Sequence, residues 1–172
     1  MWTKLPPLKR LWQHWRSDST GTHAVLDEAA LARIQDFVAQ SEKRHTGEIR
    51  VCVEAALPWS YLRRNAPARE RALMLFGKLR VWDTQANNGV LIYLLLAEHR
   101  IEIVADRGLN HHVNELQWQT ITKPMVGAFQ ARRFEKGLTQ AVKGVGAILE
   151  LHFPMQSGAQ DRNELPDAPV VL

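Results

Sequence analysis

The chain has 172 residues, of which 45% are apolar, as expected of one soluble globular domain with tails. Its net charge of +4 sits at the amino end: residues 1–16 hold Lys4, Lys9, Arg10 and Arg16 and no acid, and the remainder balances 18 basic against 18 acidic side chains. That balance argues against a nucleic-acid-binding face, and no apolar run is long enough to span a bilayer.

Composition divides the chain into three regions. Residues 1–22 are basic and rich in Trp, and they end in a Ser/Asp/Thr/Gly linker. Residues 23–153 carry the periodic patterns of a folded domain. Residues 154–172 hold Pro154, Gly158, Pro166 and Pro169 with few large apolar groups, and are expected to be a disordered tail. No signal peptide is expected, because Pro6, Pro7, Lys9 and Arg10 break up the amino end. With a lone Cys52, which has no internal disulfide partner, a cytoplasmic location is the expectation.

Within residues 8–16, Leu8, Leu11, Trp12 and Trp15 fall on one helical stripe flanked by Lys9, Arg10 and Arg16. Two readings stay open. Lys4, Lys9, Arg10, Trp12, Trp15 and Arg16 contact an anionic membrane surface, or the helix docks on its own domain with the Trp side chains buried. A helix is next expected from Asp27, a good N-cap, with Ala30, Ile34, Phe37 and Val38 on its apolar face. Gly47 is expected to stop it. Residues 48–54 alternate as a strand, with Ile49, Val51 and Val53 on one side and Arg50, Cys52 and Glu54 on the other.

Pro67 suits the first turn of another helix, whose apolar face is Ala68, Ala72, Leu75, Phe76 and Leu79. Residues 90–97 lack polar alternation and read as a central strand buried on both faces. Glu98, His99 and Arg100 form a turn, and residues 101–106 return antiparallel. Farther on, a helix is expected that Pro124 ends or kinks. A last helix carries Phe134, Leu138, Ala141, Val142, Val145, Ile148 and Leu149, with Gly137 and Gly144 packing closely on the sheet.

This order predicts an α/β fold: a three-layer α/β/α sandwich with a small mixed sheet, built from a parallel crossover and a β-hairpin. The topology carries the starts of the first two strands and the end of the third to one rim. Glu48, Asp83, Asn87, Asn88, Asp106 and Arg107 should gather there. Carboxylate and amide oxygens suit a hard cation, Ca²⁺ or Mg²⁺. The plainer alternative is that the same residues only close turns and pair with one another. His111 and His112 are adjacent and diverge on a helix, which is poor chelating geometry. Cys52 is mid-strand and reads as packed rather than nucleophilic.

Three stretches resemble the TPM domain family: TGEIRV at 46–51, NNGVLIYLLLAEHRIEIVADRGL at 87–109, and the spacing of Pro124, Phe129, Phe134, Gly137 and Leu138. The likeness covers roughly residues 24–153. It implies an α/β/α sandwich, acid-phosphatase activity in some members and calcium in loops at the sheet edge in others. Bacterial members often add a signal peptide and a membrane helix. The chain departs from the family where Asp106, Arg107 and Gly108 replace a Gly-aromatic-Gly turn, and where Asn110 and Glu115 replace a frequent Glu and Asp.

The leading expectation is a non-catalytic TPM-type binding module with a cation or ligand site at the sheet edge, acting near the inner membrane surface. The alternative is a divalent-cation-dependent phosphatase-like hydrolase. Asp83 and Asp106 would hold the metal, Arg107 the phosphate, and a metal-bound water would attack. The rim shows no nucleophile motif. A third possibility is a protein partner that meets the Arg-rich face around Arg69 and Arg71.

Overall fold

The computed structural model describes residues 8–109, 111–156 and 163–172. Among the described residues, six α-helices run in chain order: α1 (Leu8–Thr20), α2 (Glu28–Glu42), α3 (Trp59–Arg63), α4 (Ala68–Lys78), α5 (Glu115–Gln130) and α6 (Phe134–His152). They surround one sheet of β1 (Ile49–Glu54), β2 (Val90–Leu95), β3 (Arg100–Ala105) and β4 (Val170–Val171), ordered β3-β2-β1-β4. β1 and β2 are parallel, and β2 and β3 form the antiparallel hairpin. The expected α/β/α sandwich is the observed one.

Each face of the sheet buries its own helices. Ile49, Val51, Val53, Val90, Ile92 and Leu94 pack against α2, α5 and α6. Cys52, Leu91, Tyr93 and Leu95 pack against α4, with Leu62 of α3 and Leu11 of α1. β2 is buried at every position, as its unbroken apolar run requires. Asp27 caps α2 by accepting from the Ala30 N–H at 2.7 Å.

Four expectations need correction. The tail is ordered at residues 163–172, where Leu165 is buried and β4 pairs with β1. The β-branched pair Val170 and Val171 forms a strand too short to stand out after Pro166 and Pro169. Residues 157–162 lie outside the described residues. α2 ends at Glu42 rather than at Gly47; Gly47 instead lets the chain pass Leu149, whose Cδ2 would lie 2.5 Å from an added Cβ. Pro124 does not end α5, which runs through it with the proline on an exposed face where water can meet the freed carbonyl. Finally, Gly137 and Gly144 pack not on the sheet but on α5. Added Cβ atoms would meet Phe129 at 2.4 Å and Ile121 at 2.6 Å.

Candidate functional site

The rim forms where β1 and β2 begin and β3 ends. The Val90 N–H donates to the Glu48 carbonyl, the Asp106 N–H to Gly89, and the Gly108 N–H to Asn87. Two glycines make this approach possible. An added Cβ at Gly89 would lie 2.0 Å from the Val81 carbonyl oxygen, and one at Gly108 would lie 2.5 Å from that of Asn87. Asn87 takes φ 52°, a left-handed turn conformation that Asn tolerates.

Of the expected residues, Arg107 joins Asn87 and Asp106, while Asn88, Glu48 and Asp83 are held by other partners. Asn88 is fully buried and donates from Nδ2 to the Thr46 carbonyl at 2.9 Å. Asp106 is buried, and its Oδ1 accepts the Arg107 N–H at 2.6 Å. Arg107 donates from Nε to Asn87 Oδ1 at 3.0 Å. Glu48 is buried, with its carboxylate accepting the N–H groups of Glu164 and Leu165 at 3.0 and 3.1 Å. Asp83 stays exposed and pairs with Arg80. Two oxygens are left over: Asn88 Oδ1 and Asp106 Oδ2 are buried with no hydrogen-bond partner among the described residues. Among those residues, no three His, Cys, Asp or Glu side chains cluster as a ready metal site.

Glu42 lies at this end of the sheet and was absent from the expected set. It extends the buried stripe of Ile34 and Val38 by one more step of four, a pattern that marks it for burial. Its carboxyl accepts the Ile49 N–H at 2.8 Å and contacts Asp167. Burial first, then the neighbouring carboxylates of Glu48 and Asp167, push its pKa up to about 9 against the pull of that N–H. Glu42 is therefore protonated at neutral pH and has a hydrogen to offer. His45 is fully buried nearby. Its Nδ1 faces the Gly47 carbonyl at 2.9 Å and must donate, so Nε2 accepts from Ser41 Oγ at 3.0 Å. Burial lowers its pKa to about 4.

At the other end of the sheet, Glu54 receives Arg71 and the Tyr93 hydroxyl, the latter at 2.6 Å. Arg71 therefore turns inward, and Arg69 binds the Ile103 carbonyl. Helix α4 offers less of an arginine face than expected. Burial pushes the Cys52 thiol up to about 12, and the side chain is fully packed in the strand. His111 and His112 precede α5 rather than lying on a helix. His112 stacks on His152 at 4.9 Å between ring centroids.

Helix α1 docks on the domain, but through its polar side. Arg10 donates to Glu98, Asn65 Oδ1 and the Ala66 carbonyl. His14 is buried; it accepts the Leu57 N–H at Nδ1 and offers Nε2–H to Glu98 at 3.0 Å. Burial opposes ionisation of Glu98, yet the bonds from His14 and Arg10 hold its carboxyl below the ordinary range. Arg10 is thus removed from the expected membrane set. Trp12 and Trp15 are not buried on the domain as the docking alternative required; they remain 56% and 70% exposed. Lys4 lies outside the described residues. Among the described residues, no helix is long and apolar enough to cross a membrane.

The helix-covered mixed sheet and its hairpin rim define an α/β/α domain of a known kind. A family model of the TPM domain matches residues 20–148, so the chain belongs to the TPM domain family. Its fold is similar to the NMR structure of the BA42 protein from the psychrophilic bacterium Bizionia argentinensis. The two are 28% identical with a TM-score of 0.73, over 84% of this chain and 94% of that one. No curated protein matches.

Proposed function

We propose that this TPM domain is a binding module whose sheet rim takes a divalent cation, Ca²⁺ or Mg²⁺. The observation that carries this is the pair of buried oxygens, Asn88 Oδ1 and Asp106 Oδ2, that have no donor among the described residues. A buried polar atom left unsatisfied costs about 1–3 kcal/mol, more when charged, and native structures leave few of them. A hard cation satisfies such oxygens directly, with waters and backbone carbonyls completing its shell. Asn88 and Asp106 are the primary ligands. Asn87 lies at the lip, while Glu48 and Asp83 are held by other partners.

Calorimetric titration of CaCl₂ and MgCl₂ into the whole chain tests this. One saturable site is expected, weakened at least about tenfold in Asp106→Ala. No heat with either salt removes the proposal. The phosphatase alternative would use the same rim, with Arg107 on phosphate. It is disfavoured because Arg107 Nε is already held by Asn87, and Asp83 by Arg80. Phosphomonoester hydrolysis that a chelator abolishes would reverse that order.

A second reading concerns the inner membrane surface. It rests on Leu8, Trp12, Trp15 and Trp59, which are 84%, 56%, 70% and 62% exposed. Trp15 and Trp59 line one cleft of about 530 Å³ between α1 and α3. Lys9 lies on the same helix, and the Arg16 guanidinium sits 5.5 Å over the Trp12 ring. Exposed indoles beside cations suit an anionic bilayer interface. Co-sedimentation with phosphatidylserine vesicles should fall severalfold when Trp12, Trp15 and Trp59 are replaced by Ala. Equal binding by that variant would remove the membrane contact.

A further inference from the structure

Residues 163–172 lie against β1, and the domain holds them mainly by their backbone. The Glu48 carboxylate accepts the N–H groups of Glu164 and Leu165. The Arg50 guanidinium donates to the carbonyls of Pro166 and Ala168, the latter at 2.7 Å. Cys52 and Val53 pair in parallel with Val170 and Val171. The Leu172 N–H donates to Val53 at 2.9 Å, and its carbonyl accepts from Ala55 at 3.2 Å and from Thr22 Oγ1 at 3.4 Å. Side-chain recognition is sparse. Leu165 is buried, and Val170 packs on the same apolar cluster. Glu164 accepts the Gln85 N–H, and Asp167 meets the protonated Glu42.

Two charged side chains of the domain, one of them buried, are thus committed to peptide groups that any extended chain presents. We infer that the outer edge of β1, with Glu48 and Arg50, is an acceptor groove for an extended peptide. Residues 163–172 fill it in cis, and a partner peptide of the same chemistry exchanges with them. This is strand addition to a sheet edge, where main-chain bonds give affinity and a few pockets give selectivity. The contacts define the ligand: an aliphatic side chain at the Leu165 position, a second five residues later at the Val170 position, and free N–H groups at positions 164, 165 and 172. Proline is accepted at 166 and 169, where no N–H is used. The ladder itself is only two residue pairs, shorter than ordinary strands, and exchange requires this short ladder and the contacts around it to open together.

The test uses the full chain and a fluorescent peptide with the sequence of residues 163–172. In cis the segment competes at an effective concentration of about millimolar, so the unaltered chain binds the peptide weakly. Leu165→Ser with Val170→Ser in the chain removes the cis anchors and should tighten peptide binding about tenfold or more. Arg50→Met added to that variant should abolish it. The inference is overturned if the doubly altered chain, folded by circular dichroism, binds the peptide no better than the unaltered one. It is also overturned if a peptide carrying Ser at both anchor positions binds equally well. Should the double variant fail to fold, hydrogen exchange on the unaltered chain decides. Amides of Glu164, Leu165 and Leu172 that open far faster than those of β2 support exchange; protection equal to β2 contradicts it.

Discussion

Replacing Glu42 with Gln should remove most of the alkaline loss of stability in this domain. The ordinary carboxyl pKa is 4.5 and the folded one is about 9, so between these values the folded chain holds one proton more than the unfolded chain. A raised folded pKa gives stability that is complete below 4.5 and is lost as pH rises through 9. His45 acts in the opposite sense. Its pKa falls from 6.5 to about 4 on folding, so its contribution is complete above 6.5 and is lost as pH falls through 4. The two proton counts cancel between 4.5 and 6.5 and leave Glu42 alone from 6.5 to 9. At about 1.4 kcal/mol per pH unit, that window holds roughly 3 kcal/mol. Glutamine keeps an oxygen for the Ile49 N–H and a donor for Asp167 while carrying no proton to lose. Urea unfolding followed by Trp fluorescence across this window measures both slopes. A flat profile in the unaltered chain, or an undiminished slope in Glu42→Gln, would refute the assignment.

Gly137→Ala should destabilise the domain by about 1–3 kcal/mol, because its Cβ would press on the Phe129 ring at 2.4 Å. Gly127→Ala meets nothing within 4 Å and should instead stabilise by up to about 1 kcal/mol, so the two thermal midpoints should move in opposite directions. Arg71→Leu leaves the Glu54 carboxylate buried beside Tyr93 and should cost about 3–5 kcal/mol in denaturant unfolding, with Lys restoring only part because the two-pronged contact is lost. Cys52 should react with thiol reagents at neutral pH only as fast as the chain unfolds, since its thiol is buried and held up to about 12.

Local periodicity carried most of the fold. The apolar run of β2, the alternation of β1 and the Asp27 cap each report their own structure, and the right-handed crossover then places the strand ends together. That is why the sequence alone carries Asn88 and Asp106 to one rim. What the chain hid was polar and long-range. Nothing local joins Arg10 and His14 to Glu98, more than 80 positions away, so the docked face of α1 reads in sequence as a solvent face. Likewise Glu48 looked like a rim ligand because its two N–H donors lie 116 and 117 residues on, in a stretch whose prolines suggested disorder. Glu42 was legible, since it continues the α2 stripe, but a charge on an apolar face is easily passed over.

Whether Asn88 Oδ1 and Asp106 Oδ2 await a cation is decided most directly by nuclear magnetic resonance of the nitrogen-labelled chain during a Ca²⁺ titration. Saturable amide shifts confined to residues 86–89 and 105–109, and absent in Asp106→Asn, are the expected result. Amides there that stay fixed through millimolar Ca²⁺, or shifts scattered over the exposed carboxylates, would contradict it.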